Sequence, residues 1–249
     1  MRRFEHRVAI VTGAGSGLGA AIATQLAEEA ARVVCTDLTG AVEETAAQLG
    51  ELGWAARVDV ADSGDVARLF TEVRERHGRL DALFNCAGAD GMVRPLTELS
   101  EENFELVMGV NLKGPFLMMK QAIPLMIEGG GGAVVNVAAT LALAAAPGFA
   151  HYSAAKAGLL QLTKTAALEY GERGVRVNAI CPSVIDTPTL RATMAGMPAG
   201  VLDAVLGRQG IRRLARAEEI AAAAVFLASD DASYLTGAVL AADGGYLAG

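Results

Sequence analysis

The sequence predicts an α/β fold in which a doubly wound, seven-stranded parallel sheet carries helices on both faces. Two observations lead to this prediction. Short runs rich in β-branched residues alternate along the 249 residues with longer windows of helical periodicity, which is typical of βαβ units. Continuous apolar runs such as Val8–Val11 and Ala133–Val137 suit strands that are covered on both faces. Neither a Pro/Ser-rich linker nor an internal repeat interrupts the pattern, so we expect one domain over residues 1–249.

Seven strands and seven helices are predicted in alternation. The strands are Arg7–Thr12, Arg32–Thr36, Ala55–Val58, Ala82–Asn85, Ala133–Ala138, Val175–Cys181 and Ala238–Ala241. The helices are Gly17–Ala30, Ala41–Leu52, Asp62–His77, Ser100–Ile127, Tyr152–Tyr170, Pro188–Leu206 and Ala217–Ala228. Ser63 with Asp65, and Ser100, are the predicted start signals of two helices, because Ser and Asp side chains accept hydrogen bonds from free N–H groups at helix N-termini.

Composition narrows the class of protein. The chain has 21 Lys and Arg against 28 Asp and Glu, a formal net charge of −7. We expect no nucleic-acid partner, because phosphate contacts need clustered Lys and Arg. Cys35, Cys86 and Cys181 are widely spaced and odd in number, which favours a reducing, cytoplasmic compartment, and no Cys/His cluster suggests a metal. A signal peptide is not expected, because the N-terminus runs straight into the first predicted strand. A membrane span is not expected either, since Gly, Pro and Asn break the uncharged stretch 129–155.

A glycine-rich loop follows the first predicted strand and opens a helix. It reads Thr12-Gly-Ala-Gly-Ser-Gly-Leu-Gly19. Glycines permit a tight turn and a close approach of the backbone to a pyrophosphate, while free N–H groups at the helix N-terminus favour an anion. Taken alone, the loop is also compatible with a strand–helix turn of small residues. After a strand of a doubly wound sheet, it predicts a Rossmann-type dinucleotide site.

An acidic residue, Asp37, ends the second strand at about 20 residues after the glycines. A carboxylate there can accept both ribose hydroxyls of an adenosine, and it repels a 2′-phosphate. Neither the glycine loop nor the stretch directly after Asp37 contains Lys or Arg, so NAD(H) is predicted over NADP(H). Asp59, at the end of the third strand, is predicted either to meet the adenine amino group or to cap the following helix.

Tyr152-Ser-Ala-Ala-Lys156 places a phenol and an ammonium at i and i+4 on one helix face. A phenol has an ordinary pKa of about 10, and a nearby ammonium favours the phenolate and lowers that pKa. Such a pair can give a proton to a carbonyl oxygen as hydride arrives, or take one from an alcohol as hydride leaves. A chance pair on a surface helix is the alternative. The chain has only four Lys residues, and Ala and Gly flank this one, which favours a buried pair.

Taken together, these motifs resemble those of the short-chain dehydrogenase/reductase family in its compact single-domain form, over essentially the whole chain. The markers are Thr12-Gly13-x-x-x-Gly17-x-Gly19, Asn85-Cys-Ala-Gly88, Asn111, Tyr152-x-x-x-Lys156 and Pro182-Ser-Val-Ile-Asp-Thr187. The resemblance implies that Tyr152 is the general acid/base and that Lys156 holds the nicotinamide ribose and lowers the Tyr152 pKa. It also implies that Asn111 anchors a proton relay through its backbone, although Asn111 alone is compatible with an ordinary polar residue of a long helix.

The loop and the resemblance together give a set of cofactor-binding candidates. They are Gly13, Ser16, Gly17, Leu18, Gly19, Asp37, Leu38, Asp59, Val60, Asn85, Ala87, Gly88, Tyr152, Lys156, Pro182, Ser183, Ile185 and Thr187. The resemblance further implies a homotetramer packed through the long helices and the C-terminal strand.

The sequence departs from the family where a Ser usually polarises the substrate oxygen. Counting thirteen residues back from Tyr152 gives Ala139, which has no hydroxyl. Thr140 is the next residue and is a candidate catalytic replacement, although a one-residue step along a strand normally reverses the side-chain direction. Losing one donor to a developing oxyanion can cost about 10²–10³ in kcat. Two turns also differ, since the family's Asn-Asn-Ala-Gly reads Asn85-Cys-Ala-Gly88 and its Pro-Gly reads Pro182-Ser183.

The predicted function is NAD(H)-dependent interconversion of a secondary alcohol and a ketone by hydride transfer. The alternative is a dinucleotide-binding sensor or assembly protein with weak or no turnover. Ala139 motivates that alternative, and the retention of Asn111, Tyr152 and Lys156 opposes it.

The substrate pocket is expected to be lined by four parts of the chain. These are Ala139–Ala150, Ala89–Pro95, Ser183 and Thr187–Gly210. Their Ala, Leu, Met, Gly and Pro content favours an apolar or weakly polar substrate, with a carboxylate held by Arg94, Arg191 or Arg208 as the alternative. The segment 187–216 is interrupted by glycines and prolines, Pro198 among them, and is interpreted as a flap over the pocket or as a loosely packed connection.

Overall fold

The computed structural model describes residues 2–197 and 199–248, so Pro198 of the predicted flap lies outside the described residues. Seven strands form one parallel sheet in the order β3-β2-β1-β4-β5-β6-β7. They are β1 (Val8–Thr12), β2 (Arg32–Asp37), β3 (Gly53–Arg57), β4 (Ala82–Asn85), β5 (Gly132–Val137), β6 (Val175–Pro182) and β7 (Val239–Ala242). The direction of the strand order reverses between β1 and β4, and the predicted doubly wound α/β fold is confirmed.

Helices cover both faces of the sheet. They are α1 (Gly17–Glu28), α2 (Ala41–Gln48), α3 (Ser63–His77), α4 (Glu101–Met108), α5 (Gly114–Glu128), α6 (Ala150–Tyr170), α7 (Pro188–Ala195), α8 (Val201–Gly207) and α9 (Ala217–Ala228). Alternate residues of β1 enter different cores: Ala9 and Val11 pack with α1, α2 and α9, whereas Val8 and Ile10 pack with α3, α5 and α6. This two-sided burial is the reason for the continuous apolar run in β1.

The predicted helix Ser100–Ile127 is wrong as a single element. A π-helical turn at Gly109–Lys113 separates α4 from α5. The amide of Asn111 explains this break, because its Nδ2 donates to the carbonyl of Val107, one turn back, at 3.1 Å and competes with the helical backbone. The Ser100 start signal is confirmed, since its Oγ accepts a hydrogen bond from the backbone of Asn103 at 3.3 Å.

Among the other boundaries that differ from the prediction, three have a local cause. The predicted helix over 188–206 is two short helices, α7 and α8, with Gly200 at φ +85° directly before α8. The helix predicted to reach Leu52 ends at Gln48, and Gly50, at φ +61°, opens a 3₁₀ turn. Asp62, rather than Ser63, caps α3, since its Oδ1 accepts from two backbone N–H groups at 2.8 Å. Local strong acceptors and left-handed glycines therefore decide these ends.

Some general properties follow from the described part of the chain. Within it, no helix is long and apolar enough to cross a membrane. Over the same residues, no cluster of His, Cys, Asp and Glu could hold a metal ion. All three cysteines are free thiols.

Candidate active site

A cavity of about 970 Å³ opens at the carboxyl ends of the strands, beside the switch point between β1 and β4. Most of the predicted site residues line it. They are Gly13, Ser16, Gly17, Leu18, Gly19, Asp37, Ala87, Gly88, Thr140, Tyr152, Lys156, Pro182, Ser183, Ile185 and Thr187. One continuous cavity thus joins the glycine loop to the Tyr–Lys pair.

Two glycines of the loop, Gly13 and Gly19, have no room for a side chain. Gly13 and Gly17 adopt φ +66° and +52°, and a Cβ on Gly13 would lie 2.9 Å from the backbone of Ala87. A Cβ on Gly19 would collide with the carbonyl oxygen of Gly13. Ser16 forms no side-chain cap on α1, and the first turn contains no acidic residue, so the helix N–H groups remain available to an anion. This cradle fits the pyrophosphate of a dinucleotide.

Asp37 lies beside this loop. Its Oδ2 accepts a hydrogen bond from the N–H of Gly15 at 3.1 Å, and its Oδ1 accepts from the N–H and hydroxyl of Thr39, each at 2.9 Å. These bonds fix the carboxylate at the cavity wall. The Asp37 carboxylate, which is predicted to bind the adenosine end of a dinucleotide, is therefore held in place at the end of β2.

Four predicted cofactor residues lie outside the lining of this cavity. Leu38 and Asp59 line a second cavity of about 880 Å³ beside α4 and α5, while Val60 is buried against Gly114. Asn85 is buried, and its Nδ2 donates to Oδ1 of Asn136 at 2.7 Å, which links β4 to β5.

The helix-capping alternative for Asp59 is wrong. Its Oδ1 accepts from the backbone of Ala61 at 2.8 Å in a turn that precedes α3. The carboxylate that caps α3 belongs to Asp62 instead.

Tyr152 and Lys156 lie on the first turns of α6, next to the end of β5. The Nζ of Lys156 is buried, donates to the carbonyl of Val137 at 2.8 Å and lies 5.7 Å from the centre of the Tyr152 ring. Burial lowers the pKa of Lys156 to about 8, because it disfavours the charged ammonium. At neutral pH the ammonium still predominates.

The predicted lowering of the Tyr152 pKa is not found in the protein alone. Burial raises the pKa of Tyr152 above its ordinary value, and the negative charge of Asp90 raises it further. Burial therefore decides the direction of the shift, and Tyr152 carries its proton at neutral pH.

Asn111 lies on the π-helical turn and is completely buried. Besides its bond to Val107, its Nδ2 donates to the carbonyl of Ala89 at 2.7 Å, and its Oδ1 accepts from the N–H of Ala89 at 3.3 Å. These bonds hold the loop after β4 against α4. The ordinary-helix interpretation of Asn111 is thus wrong, and its role in a proton relay stays a prediction.

The wall opposite the glycine loop contains both Ala139 and Thr140. Ala139 is extended and 8% exposed, and Thr140 begins a 3₁₀ turn with 6% exposure. Both line the cavity. The structure therefore brings Thr140 to the same cavity wall as Ala139, and the catalytic role of its hydroxyl stays a prediction.

Several cavity residues were not singled out from the sequence. They include Asp90, Phe149, Thr193 and Tyr246. Asp90, Phe149 and Thr193 lie within the segments predicted to line the pocket, 89–95, 139–150 and 187–210, whereas Tyr246 lies outside them.

The three candidate arginines differ in their positions. Only Arg94 among them lines the cavity. Arg191 forms an ion pair with Asp186 at 2.8 Å, and Arg208 donates to the hydroxyl of Tyr246 at 2.9 Å. If the substrate is a carboxylate, Arg94 is therefore its candidate partner among the three.

The fold and this cavity define a class of protein: a Rossmann-type oxidoreductase that uses a nicotinamide dinucleotide. A family model described as enoyl-(acyl carrier protein) reductase matches residues 13–247. The chain belongs to the short-chain dehydrogenase/reductase family.

Individual relatives are similar over almost the whole chain. It is 44% identical over 248 residues to the cis-4-hydroxycyclohexanecarboxylate dehydrogenase of Sinomonas cyclohexanicum, covering 98% of each chain. It is 43% identical over 248 residues to the D-threitol dehydrogenase of Mycolicibacterium smegmatis, covering 98% of this chain and 94% of the relative. The crystal structure of levodione reductase matches with a TM-score of 0.94 at 36% identity, covering 98% and 99%.

Proposed function

We propose that the protein is an NAD(H)-dependent oxidoreductase that interconverts a secondary alcohol and a ketone. The observation that carries the proposal is the shared cavity: the glycine loop and Asp37 lie at one part of it, and Tyr152 and Lys156 at another. Relatives named as dehydrogenases of hydroxylated small molecules, including a meso-2,3-butanediol dehydrogenase of Serratia marcescens at 37% identity, support this reaction class.

Each residue type has a role in this proposal. A bound nicotinamide dinucleotide supplies the hydride donor or acceptor. Tyr152 gives its phenolic proton to the carbonyl oxygen in reduction and removes the hydroxyl proton in oxidation. Lys156 uses one N–H on Val137, and its other N–H groups have no partner among the described residues, so they can hold the ribose hydroxyls. Pro182, Ser183, Ile185 and Thr187 would hold the nicotinamide end.

The proposal is tested by assaying ketones and secondary alcohols with NADH/NAD⁺ and with NADPH/NADP⁺. We expect a higher kcat/KM with the non-phosphorylated cofactor, because the Asp37 carboxylate repels a 2′-phosphate. Asp37→Asn keeps the shape of the side chain but removes its charge. The ratio of kcat/KM with NADH to kcat/KM with NADPH is therefore expected to fall by at least about tenfold in this variant. Asp203→Asn, on the exposed face of α8, is the matched control. A preference of the wild-type protein for NADPH would contradict the cofactor assignment.

A second candidate function is a dinucleotide-binding sensor or assembly protein. Ala139 favours it, because the position lacks the hydroxyl donor. The same assay separates the two candidates, since tight NADH binding without turnover of any substrate would support the sensor. The buried Lys156 beside the half-buried Tyr152 favours the enzyme, since burying an ammonium costs free energy and catalysis would account for retaining it.

The substrate is proposed to be small and weakly polar. Apolar residues such as Leu141, Phe149 and Met194 make up much of the cavity wall.

Three free thiols also fit a reducing compartment such as the cytoplasm.

We further propose a homotetramer. Two apolar surfaces support it: Phe104, Leu106 and Phe116 are exposed around the second cavity on α4 and α5, and Tyr234 and Leu240 are exposed near β7. Exposed patches of this kind mark association sites. Light scattering at micromolar concentration is expected to give four times the chain mass of 25.6 kDa, and a monomer would contradict the proposal.

A further inference from the structure

A hydrogen bond crosses the substrate part of the cavity. Thr193, on α7, donates its hydroxyl to Oδ2 of Asp90, in the loop after β4, at 2.6 Å. Both residues line the cavity. The distance is typical of a hydroxyl bonded to an ionised carboxylate. Because the hydroxyl is neutral, the bond fixes the position of the carboxylate and leaves its negative charge in place.

The backbone on both sides of Asp90 is also fixed. Ala89 is held by two hydrogen bonds to the Asn111 side chain. Gly91 adopts φ +67°, and a Cβ there would lie 2.5–2.8 Å from Val107, His151 and Asn103. The loop therefore presents the Asp90 carboxylate from a rigid support, which is the condition for a selective contact with a ligand.

The second carboxylate oxygen of Asp90 can accept a hydrogen bond from a ligand. Oδ1 of Asp90 makes no hydrogen bond to any of the described residues, whereas Oδ2 is occupied by Thr193. Asp90 is also close enough to act electrostatically on Tyr152 and Lys156, which places its charge near the Tyr–Lys pair. The half-buried Asp90 carboxylate lines the cavity and can still accept a hydrogen bond through Oδ1, and a substrate can supply the donor.

We infer that Asp90 is a specificity-determining residue whose Oδ1 accepts a hydrogen bond from a second hydroxyl group of the substrate, with Thr193 as its positioning residue. This inference rests on the proposed oxidoreductase function and specifies its substrate class as neutral diols and polyols. The charges of the cavity favour a neutral donor, because Asp90 repels a carboxylate while Lys156 and Arg94 repel an ammonium.

The test compares diols with the matching mono-alcohols. Butane-2,3-diol against butan-2-ol, and pentane-2,4-diol against pentan-2-ol, offer the second hydroxyl at two separations. For at least one pair, wild type is expected to favour the diol in kcat/KM. Asp90→Asn is expected to lower that preference by about 10- to 100-fold, because a charge-assisted hydrogen bond is lost, and the preference is a ratio in which any effect of the lost charge on Tyr152 is common to both alcohols. Asp203→Asn is the control.

The positioning role of Thr193 is tested by measuring KM and kcat separately. Thr193→Val is expected to raise KM for the favoured diol several-fold with kcat nearly retained, since the carboxylate remains but is less well oriented. Thr193→Ser keeps the hydroxyl and is expected to restore the wild-type KM. A KM equally raised for the mono-alcohol would indicate a general packing role and would overturn the positioning role.

Binding without turnover distinguishes this inference from the proposed function. The increase in Tm caused by each diol is measured with NADH present, in wild type and in Asp90→Asn. A diol-dependent increase that the variant loses supports the Asp90 contact even if no substrate turns over, in which case only the proposed reaction fails. Equal increases in both proteins, or an unchanged diol preference with normal turnover, overturn the Asp90 inference and leave the oxidoreductase function standing.

Discussion

Tyr152→Phe is expected to lower kcat by about 10²–10⁴ while leaving NADH binding nearly intact, because the change removes only the phenolic oxygen that carries the proton. The ring itself stays in place, since it packs edge-on against Phe149 with 6.3 Å between the ring centres. The measurements are kcat with the best ketone of the assay and the Kd of NADH from fluorescence titration.

The matched control is Tyr170→Phe, the same substitution at the other end of α6. Tyr170 is half-buried and lies outside the cavity lining, so kcat is expected to stay near that of wild type. Retention of most of kcat in Tyr152→Phe would remove Tyr152 as the general acid/base. Equal losses in both variants would instead indicate damage to α6.

The sheet could be predicted because each strand carries its own signal. In β1 the residues alternate between two cores, and both cores need apolar side chains, so Val8–Val11 is apolar throughout. That signal is local in the sequence. The same holds for α9, which was predicted at Ala217–Ala228, the bounds found in the structure.

The break between α4 and α5 was not predicted, because the Asn111 side chain that holds the π-helical turn combines a local contact, to Val107, with one that is distant in the sequence. Gly109–Lys113 contains no proline. Of the two prolines of α5, Pro115 lies in the first turn, where its missing N–H is tolerated, and Pro124 leaves that helix unbroken. The π-helical turn depends on the Asn111 amide, which also binds the carbonyl of Ala89 in a different loop. Sequence periodicity contains no information on such a contact.

The site was predictable where spacing alone defines it. The glycine loop and the Tyr152–Lys156 pair are each formed by residues that are close together in the sequence, and both line the cavity. Asn85 differs, because its partner is Asn136 on the adjacent strand, and strand pairing decides where its amide lies.

Tertiary burial and long-range contacts limited two further predictions about the site. The Tyr152 pKa was predicted from an adjacent charge, whereas burial decides its direction. The Asp90 carboxylate is positioned by a hydrogen bond from Thr193, which lies 103 residues further along the chain.

Ala139→Ser is the second substitution with a large expected effect, and it is expected to raise kcat for ketone reduction by up to about 10²–10³. Ala139 lines the cavity thirteen residues before Tyr152, and serine adds only one oxygen to its Cβ. That oxygen would supply the donor to the developing oxyanion. The measurement is kcat of the variant and of wild type with one ketone, and Ala145→Ser, at an exposed position outside the lining, is the control.

The effect of Thr140→Val on kcat determines how large an increase in kcat is expected from Ala139→Ser. If the Thr140 hydroxyl already stabilises the oxyanion, its removal is expected to lower kcat by a similar factor, and Ala139→Ser then restores activity in the double variant rather than adding to wild type. An unchanged kcat in Thr140→Val, together with a gain in Ala139→Ser, would mean that the native site works without this donor. If neither variant changes kcat, the missing hydroxyl does not limit turnover, and a slow step other than proton transfer to the carbonyl oxygen sets the rate.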